Sequence, residues 1–180
     1  AVAIFTLEYS NKETLGPLSL VDKITAATFQ SVTIRTAGFN TIDLSLLRVP
    51  TIVVMVSLMI IGASPASTGG GIKTTTFFAC VLFIKDTILG NEDHNAFERR
   101  IPLQTINKAL ATGILAILLS ALLTIILSTL EKDISLTQAI FEVISALATV
   151  GLSLGITPLL STISKLLLII TMFLGRVGYI

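Results

Sequence analysis

Two short segments of the sequence carry residues whose type and spacing could coordinate a monovalent cation. Glycine allows the backbone dihedrals that turn successive carbonyls to one side, and carbonyls freed from helical pairing can replace the water shell of such an ion. We expect Thr-x-Gly in extended conformation to present carbonyls in this way, and two copies make the pattern more specific than one. The candidate residues are Thr36, Ala37, Gly38, Phe39 and Asn40, and Thr149, Val150, Gly151, Leu152 and Ser153.

A third segment, from Gly62 to Ile72, interrupts an otherwise apolar helix with small and helix-breaking residues. Pro65 and three consecutive glycines cannot continue an ordinary helix. Non-helical backbone at bilayer depth must line water or lie within protein. We therefore expect a functional loop beneath the Thr-x-Gly segments, and the alternative is a flexible kink between packed helices. The candidate loop residues are Ala63, Ser64, Pro65, Ala66, Ser67, Thr68, Gly69, Gly70 and Gly71.

Three ionisable residues fall inside or beside these apolar segments. Arg176 lies deep in the last one, and an intramembrane arginine normally faces a cavity or a partner. We predict that Arg176 bonds the carbonyls or hydroxyls of the loop; the alternative is that it snorkels to the membrane surface. Arg35 either braces the backbone beside Thr36 or pairs with an acid, and Glu142 is either a buried support or an acid at the outer mouth.

The composition indicates that the chain lies in a membrane. The chain is 53% hydrophobic and only 13% charged, with a mean hydropathy of +0.92, which is too apolar for an ordinary soluble domain. The charge-free runs 49–72, 109–130 and 143–164 are each long enough to cross about 30 Å of hydrocarbon as a helix. The net charge of +1 gives no attraction to nucleic acid, and a single cysteine excludes an internal disulfide or a cysteine-rich metal site.

The distribution of basic residues predicts the topology. Lys85, Arg99, Arg100 and Lys108 gather between two apolar runs, which places that loop in the cytoplasm by the positive-inside rule. Ala1 is not methionine and both ends lie in apolar stretches, so we expect a piece of a longer chain. The predicted segments are a helix end at 1–8, a pore helix at 22–35, a filter at 36–40, a broken inner helix at 48–84, a cytoplasmic loop at 85–105, an outer helix at 106–130, a second pore helix at 135–148, a second filter at 149–153 and an inner helix at 158–180.

These segments form two copies of one unit. Thr36 aligns with Thr149 at an offset of 113 positions, and the same offset brings Gly62 onto Gly175. It also aligns Asp22 with Ser135, the predicted N-caps of the two short pore helices. The two units differ in the loop before the pore helix, which is about ten residues longer in the first unit than in the second.

The motifs together resemble a known family. Arg35-Thr-Ala-Gly-Phe-Asn40, Gly62 through Thr75, Ala148-Thr-Val-Gly-Leu-Ser153 and Gly175-Arg-Val-Gly178 are similar to the membrane subunits of the bacterial Trk and Ktr potassium uptake systems, within the Trk/Ktr/HKT superfamily. The loop departs from the family pattern, which has Pro-Gly-Ser where this chain has Pro65-Ala66-Ser67.

The resemblance implies a fold and a set of roles. The fold is an all-α membrane protein built from four helix–pore-helix–helix repeats of potassium-channel type, of which this chain holds the end of the third and most of the fourth. Gly38 and Gly151 match the filter glycines, residues 63–72 match the intramembrane gating loop, and Arg176 matches the arginine that contacts it. The resemblance further implies K+ (or Na+) as the transported ion, no cofactor or transition metal, a homodimer in the inner membrane in contact with lipid, and a cytosolic RCK-type nucleotide-binding ring against residues 85–108.

Two other function classes remain as alternatives. An ion-coupled secondary transporter would bind a small solute at a broken helix, but it predicts paired broken helices rather than two half-helices that each end in Thr-x-Gly. A non-conducting membrane anchor predicts no filter signature, and nothing in the sequence predicts an enzyme.

Overall fold

The computed structural model describes residues 1–67, 69–90, 95–96 and 99–177, and the chain is almost entirely helical in these ranges. A two-residue antiparallel strand pair, Asn95–Ala96 with Arg99–Arg100, joins the two halves of the chain. Short 3-10 turns occupy Leu44–Leu46 and Thr157–Leu159. The helices are α1 (Val2–Glu8), α2 (Leu20–Thr33), α3 (Val49–Ile60), α4 (Thr74–Leu89), α5 (Leu103–Leu130), α6 (Leu136–Leu147) and α7 (Thr162–Val177).

The lengths of the helices separate a spanning helix from two half-helices. α5 has 28 residues with a mean hydropathy of 2.6 over its most apolar window, and at about 1.5 Å per residue it exceeds the thickness of a hydrocarbon core. Among the described residues it is the one helix that is long and apolar enough to span by itself. α2 and α6, with 14 and 12 residues, are too short to cross and agree with the expected pore helices.

The two pore helices begin with the same kind of cap, but one of the predicted caps is wrong. Ser135 and Gln138 form the predicted capping box of α6. In α2 the N-cap is Ser19 and not Asp22: the Ser19 hydroxyl accepts from the Asp22 backbone N–H at 3.3 Å and donates to the Asp22 carboxylate at 2.7 Å. Asp22 instead lies in the first turn, where a carboxylate interacts favourably with the helix dipole. The expected alignment of Asp22 with Ser135 as equivalent caps therefore fails.

Several predicted bounds differ from the observed ones by a few residues. α2 ends at Thr33 because the chain turns away through 34–37. α4 continues to Leu89, where Gly90 ends it in the left-handed conformation (φ 71°) that commonly terminates helices. α7 starts at Thr162 rather than 158, since a 3-10 turn precedes it. The inner helix predicted over 48–84 is broken as expected, between Ile60 and Thr74.

Pore helix α6 lies at the centre of the fold. It packs against α3, α5 and α7, and every residue from Phe141 to Leu147 is buried. Its apolar side chains join the cores of both units: Phe141 packs in a cluster with Met55 and Met59, and Val143 in another with Leu127. Because α6 is enclosed by three helices, the segment that follows it is held on a rigid support.

A glutamate joins the first and last helices of each unit at one end of the bundle. Glu8, at the end of α1, is fully buried and its Oε1 accepts from the backbone N–H of Arg48, the N-cap of α3, at 3.0 Å. Glu131, just after α5, accepts from the backbone N–H of Ser161, just before α7, at 2.8 Å. Arg48 and Ser161 are 113 positions apart, whereas the two glutamates are 123 apart. The ten additional residues of the first unit therefore lie between its glutamate and its pore helix.

Candidate functional site

The two Thr-x-Gly segments start with the same unusual backbone conformation. Thr36 has φ 69° and Thr149 has φ 55°, while Gly38 and Gly151 have φ 79° and 86°. The extended conformation predicted for the whole segment is therefore wrong at the threonines and at the glycines. The threonines stand where a helix ends in the left-handed region, a position that glycine usually takes. A β-branched residue there is strained, and such strain concentrates at functional sites.

The two segments meet at their glycines. A Cβ placed on Gly38 would lie 2.7 Å from the Val150 carbonyl oxygen, and one placed on Gly151 would lie 3.6 Å from the Gly38 Cα. The backbones are thus in direct contact at this level. Gly38 is needed both for its positive φ and for this close approach.

A hydroxyl at the end of each pore helix ties the following segment back to that helix. The Thr33 hydroxyl donates to the Phe39 carbonyl at 2.5 Å and accepts from the Phe39 N–H at 2.9 Å. The Ser145 hydroxyl donates to the Leu152 carbonyl at 2.6 Å. Phe39 and Leu152 are 113 positions apart, so the two units anchor the same carbonyl, although the hydroxyls that bond it are 112 positions apart. Asn40 has a local bond only, from its side-chain amide to the Ile42 carbonyl at 3.2 Å.

The structure chooses between the two readings of Glu142 that the sequence left open. Its side chain is only 5% exposed and accepts from the hydroxyls of Ser153 and Thr157, the latter at 3.1 Å. The Ser153 hydroxyl in turn accepts from the Gly155 N–H at 3.0 Å. Glu142 is therefore a buried support that fixes the end of the second segment on α6.

The glycine-rich loop between α3 and α4 is closed at its base. Ile61 and Ile72 form a parallel β-bridge, in which the Gly62 N–H donates to the Ile72 carbonyl at 2.8 Å and the Ile72 N–H donates to the Ile60 carbonyl at 3.1 Å. We call these residues, 60–62 and 72, the neck of the loop. A Cβ on Gly62 would overlap the Gly70 carbonyl oxygen, so the neck requires glycine there.

The loop beyond the neck lies against the threonines of both segments. The Gly70 N–H donates to the Thr149 hydroxyl at 2.9 Å. A Cβ on Gly69 would lie 2.7 Å from Thr36 Oγ1, and one on Gly70 would lie 2.5 Å from Thr149 Oγ1. The consecutive glycines therefore allow the loop backbone to touch both threonine side chains.

The rest of the loop is held by bonds within itself. The Ala63 carbonyl accepts from the Thr74 N–H at 3.3 Å, and the Ser64 carbonyl accepts from both the N–H and the hydroxyl of Ser67, at 3.2 and 2.6 Å. Ala66, next to Pro65, has φ 63°; alanine here adopts the conformation that the glycine of the family pattern would adopt freely. Thr68, also predicted to belong to the loop, lies outside the described residues.

Two basic side chains bond the loop backbone, and the sequence analysis assigned neither of them to this role. Lys73 donates to the carbonyls of Gly69 at 2.5 Å and Ser67 at 3.2 Å. Arg35 donates from Nη1 to the carbonyls of Ile61 and Gly62, the latter at 3.3 Å. Neither interpretation of Arg35 anticipated this bond. The sequence did contain a hint of both bonds, because a helix that breaks inside a bilayer leaves backbone carbonyls that need donors.

Arg176 lies in the last turn of α7, on the wall of a cavity of about 680 Å³. Gly69, Gly70 and Gly71 line the same cavity, together with Lys73 and Lys108. Arg176 and the loop therefore line one cavity, and the predicted bond between them stays a prediction. Gly178, the last residue of the motif, lies outside the described residues.

Two capped half-helices, each followed by a left-handed threonine and a filter-type glycine, with a loop in a broken helix beneath them, define a helical membrane protein of the pore-helix repeat class. The chain belongs to the TrkH family of cation transport proteins, whose family model matches residues 1–180.

Curated relatives agree with this membership. Ktr system potassium uptake protein B of Bacillus subtilis (strain 168) is 43% identical over 177 residues, which cover 98% of this chain and 40% of that protein. The Vibrio alginolyticus protein of the same name is 41% identical, over 98% of this chain and 39% of that protein. Potassium/sodium uptake protein NtpJ of Enterococcus hirae is 34% identical, over 97% and 40%.

Among solved structures, the potassium transporter TrkH from Vibrio parahaemolyticus superposes with a TM-score of 0.79 at 21% identity. The superposition covers 97% of this chain and 39% of that one, and it establishes the likeness of the fold. The chain thus spans about 40% of the length of the relatives it matches.

Proposed function

We propose that this chain is the part of a monovalent cation uptake protein that carries two of the segments lining its pore, with potassium as the transported ion. The observation that carries the proposal is the contact of the glycine loop with both segments: Gly70 bonds Thr149, and Gly69 packs on Thr36. A loop in that position obstructs an ion leaving the filter. The matched family is one of cation transport proteins, and the similar Ktr proteins are named for potassium uptake.

In this proposal residues 36–40 and 149–153 form two sides of a carbonyl-lined selectivity filter. The close approach of Gly38 to Val150 and the hydroxyl anchors at Phe39 and Leu152 fix the backbone in advance of ion binding. A fixed ring of carbonyl dipoles is what replaces the hydration shell of a cation. The remaining sides come from other repeats of the complete protein.

The loop of residues 63–71, with Arg176, serves as the gate. Its backbone touches the two threonines at the inner end of the filter, so displacement of the loop opens the path. The protein is multi-pass in the cell (inner) membrane, in contact with lipid. Its complete form is a homodimer with an RCK-type nucleotide-binding ring on the cytosolic side, and neither nucleic acid nor an enzymatic reaction is part of its function.

The second candidate function is an ion-coupled secondary transporter. The feature that favours it is the break in the inner helix, since discontinuous helices form solute sites in such proteins. In the first unit the inner helix breaks between Ile60 and Thr74, but in the second α7 is continuous from Thr162 to Val177. Paired breaks are therefore not observed among the described residues, and the ion-pore proposal is the better supported one.

A glycine substitution in the full-length protein tests the filter. Gly38→Ala introduces a Cβ 2.7 Å from the Val150 carbonyl oxygen, which forces the two segments apart. We expect potassium flux into liposomes to fall by at least about tenfold, the effect of 1.4 kcal/mol on the barrier, and the preference for potassium over sodium to decrease. Purification as a monodisperse protein confirms that the fold is intact.

The matched control is Gly155→Ala. Gly155 also has a positive φ, of 86°, but a Cβ there meets nothing within 4 Å, so this variant carries the same backbone strain without the collision. We expect near-normal flux and selectivity. If Gly38→Ala and Gly155→Ala have the same effect on flux, the filter assignment is wrong. If the wild-type protein moves a small solute and no potassium ions, the secondary transporter is the correct function.

A further inference from the structure

The break in the first inner helix leaves backbone carbonyls without helical partners. A helix has four such carbonyls at its end, and α3 ends at Ile60 within the apolar run 49–72. A carbonyl left unpaired in an apolar surrounding is costly. Within the neck the Ile72 N–H satisfies the Ile60 carbonyl, and a side chain supplies the donor for the two carbonyls that follow it.

The donor is Arg35. Its guanidinium Nη1 donates to the carbonyls of Ile61 and Gly62, both in the neck of the glycine loop. In the sequence Arg35 immediately precedes Thr36, the first residue of the filter segment. One residue thus connects the start of a filter segment, through its backbone, to the base of the loop, through its side chain.

The second unit provides an internal comparison. The positions that correspond to Arg35 and Gly62 are Ala148 and Gly175. There α7 does not break, and Gly175 instead packs directly on the end of the pore helix, where a Cβ would overlap the Leu147 carbonyl oxygen. The unit with a continuous inner helix has an alanine at this position, and the unit with a broken helix has an arginine that satisfies the broken end.

We propose that Arg35 is a positioning residue for the gate, which holds the neck of the loop at a fixed distance from the filter. It acts through the loop and does not itself touch the transported ion. The inference rests on the proposed function of the loop. Arg35 holds the N-terminal side of the loop, while Lys73 holds the C-terminal side through the carbonyls of Ser67 and Gly69.

A double-mutant cycle in the full-length protein tests this role. One change is Arg35→Ala and the other is deletion of residues 65–70, which removes the part of the loop that touches the threonines but keeps the neck. With the loop intact, Arg35→Ala is expected to raise potassium flux in liposomes by about tenfold, the shift in an equilibrium that follows loss of a hydrogen bond from a charged donor. With the loop deleted, the same substitution is expected to change the flux less than about twofold, because nothing remains to be positioned.

Arg48→Ala is the matched control. Arg48 also donates to a main-chain carbonyl, that of Leu7 at 3.2 Å, but at the other end of α3 and away from the loop. Its effect on flux is expected to be the same with and without residues 65–70. Arg35→Lys keeps the charge and one donor, and an intermediate flux is expected from it.

A second measurement does not depend on conduction. Spin labels are placed at Ala66→Cys, in the loop, and at Lys132→Cys, just after α5, in a protein from which Cys80 and any cysteine outside this chain have been replaced by serine. Dilution with unlabelled subunits leaves the distance between these two sites as the one measured. The distance distribution is expected to broaden with Arg35→Ala or Arg35→Lys and to stay narrow with Arg48→Ala. An unchanged distribution overturns the proposal for Arg35, as does an equal effect of Arg35→Ala on flux with and without the loop. Absence of potassium flux in the wild-type protein overturns the proposed function instead. In that case the distances between the spin labels still test whether Arg35 holds the loop in place.

Discussion

At the scale of single residues, the polar side chains of this protein mostly serve the backbone. Thr33 and Ser145 bond carbonyls of the two candidate filter segments, Arg35 and Lys73 bond loop carbonyls, and Glu8 bonds the start of α3. In an apolar surrounding, each group left unpaired costs free energy comparable to a lost hydrogen bond. The irregular backbone around the candidate pore is therefore maintained by specific side chains rather than by water.

Gln30 is an exception, and it leads to a stability prediction. Its side chain is fully buried in α2, and neither its amide oxygen nor its nitrogen has a partner among the described residues. Since the side chain is already inaccessible within this chain, other segments of the complete protein cannot reach it. Gln30→Met keeps the volume and removes the unpaired amide, and we expect it to stabilise the protein by roughly 1 kcal/mol or more.

The measurement is the temperature at which half of the protein leaves the monodisperse gel-filtration peak after heating. Gln138→Met is the control, because Gln138 accepts from the Ser135 N–H at 2.9 Å in the capping box of α6. That substitution is expected to lower the temperature. A lower temperature for Gln30→Met would mean that the amide is satisfied in the protein.

At the scale of elements, the two units are copies that differ in one loop and one helix. The glutamates at the ends of α1 and α5 accept from equivalent N–H groups, and a hydroxyl of each pore helix bonds an equivalent carbonyl of the segment that follows. The inner helix breaks in the first unit, whereas in the second it is continuous over its described residues, Thr162–Val177. The two units therefore share a scaffold, and the first differs by an interrupted helix and by the side-chain donors that bond the interrupted backbone.

Glu131 makes the end of the second unit sensitive to acid. Hydrogen bonds from the side chains of Ser161 and Ser164 and from the Ser161 backbone hold the pKa of its carboxyl below the ordinary value of 4.5. A carboxyl whose pKa is lowered in the folded state contributes stability that is complete above 4.5 and is lost as the pH falls through the lowered value. We expect the Ser161 amide to lose protection from hydrogen exchange over that acidic range, after correction for the intrinsic pH dependence.

Glu131→Gln is the comparison for this experiment. The amide side chain still accepts a hydrogen bond but does not titrate, so the protection of Ser161 should become independent of pH below 4.5. A profile with the same acidic decrease in both proteins would assign the effect to another group.

Particular residues show how far the sequence alone predicts this structure. The capping box at Ser135, the break after Ile60 and the 113-residue offset of the filter segments follow from local patterns that secondary structure obeys directly. The paired glutamates are missed because they are 123 positions apart, outside the offset that aligns the two Thr-x-Gly segments. The bond from Arg35 to Gly62 spans 27 residues and depends on how α2 and α3 approach each other, which no local pattern encodes.

At the scale of the whole molecule, the glycine loop is the proposed obstruction in the ion path. It contacts Thr36 and Thr149, one from each unit, and lines a cavity of about 680 Å³ that Arg176 also lines. Shortening it by deletion of residues 65–70 is expected to raise potassium flux in liposomes, because the obstruction is removed. Neutralising Arg176 with Arg176→Gln is expected to act in the same direction, since its loss frees the loop.

The control for Arg176 is Lys165→Gln. Lys165 also lies in α7, but it donates to the Pro158 carbonyl at 3.0 Å and is remote from the loop. We expect no increase in flux from this change. Unchanged or lower flux after the loop deletion would contradict the gating role, and an increase for Lys165→Gln would attribute the Arg176 effect to charge on the helix in general.

The bridge between Ile61 and Ile72 closes the base of the loop independently of the residues inside it. Because the strand-like pairing joins the two half-helices directly, the spacing of α3 and α4 does not depend on the number of residues inside the loop. The surrounding helices should therefore keep their spacing when the interior of the loop is lengthened or shortened. For the experimenter, the same property makes the loop a place to insert a fluorescent reporter without separating α3 from α4.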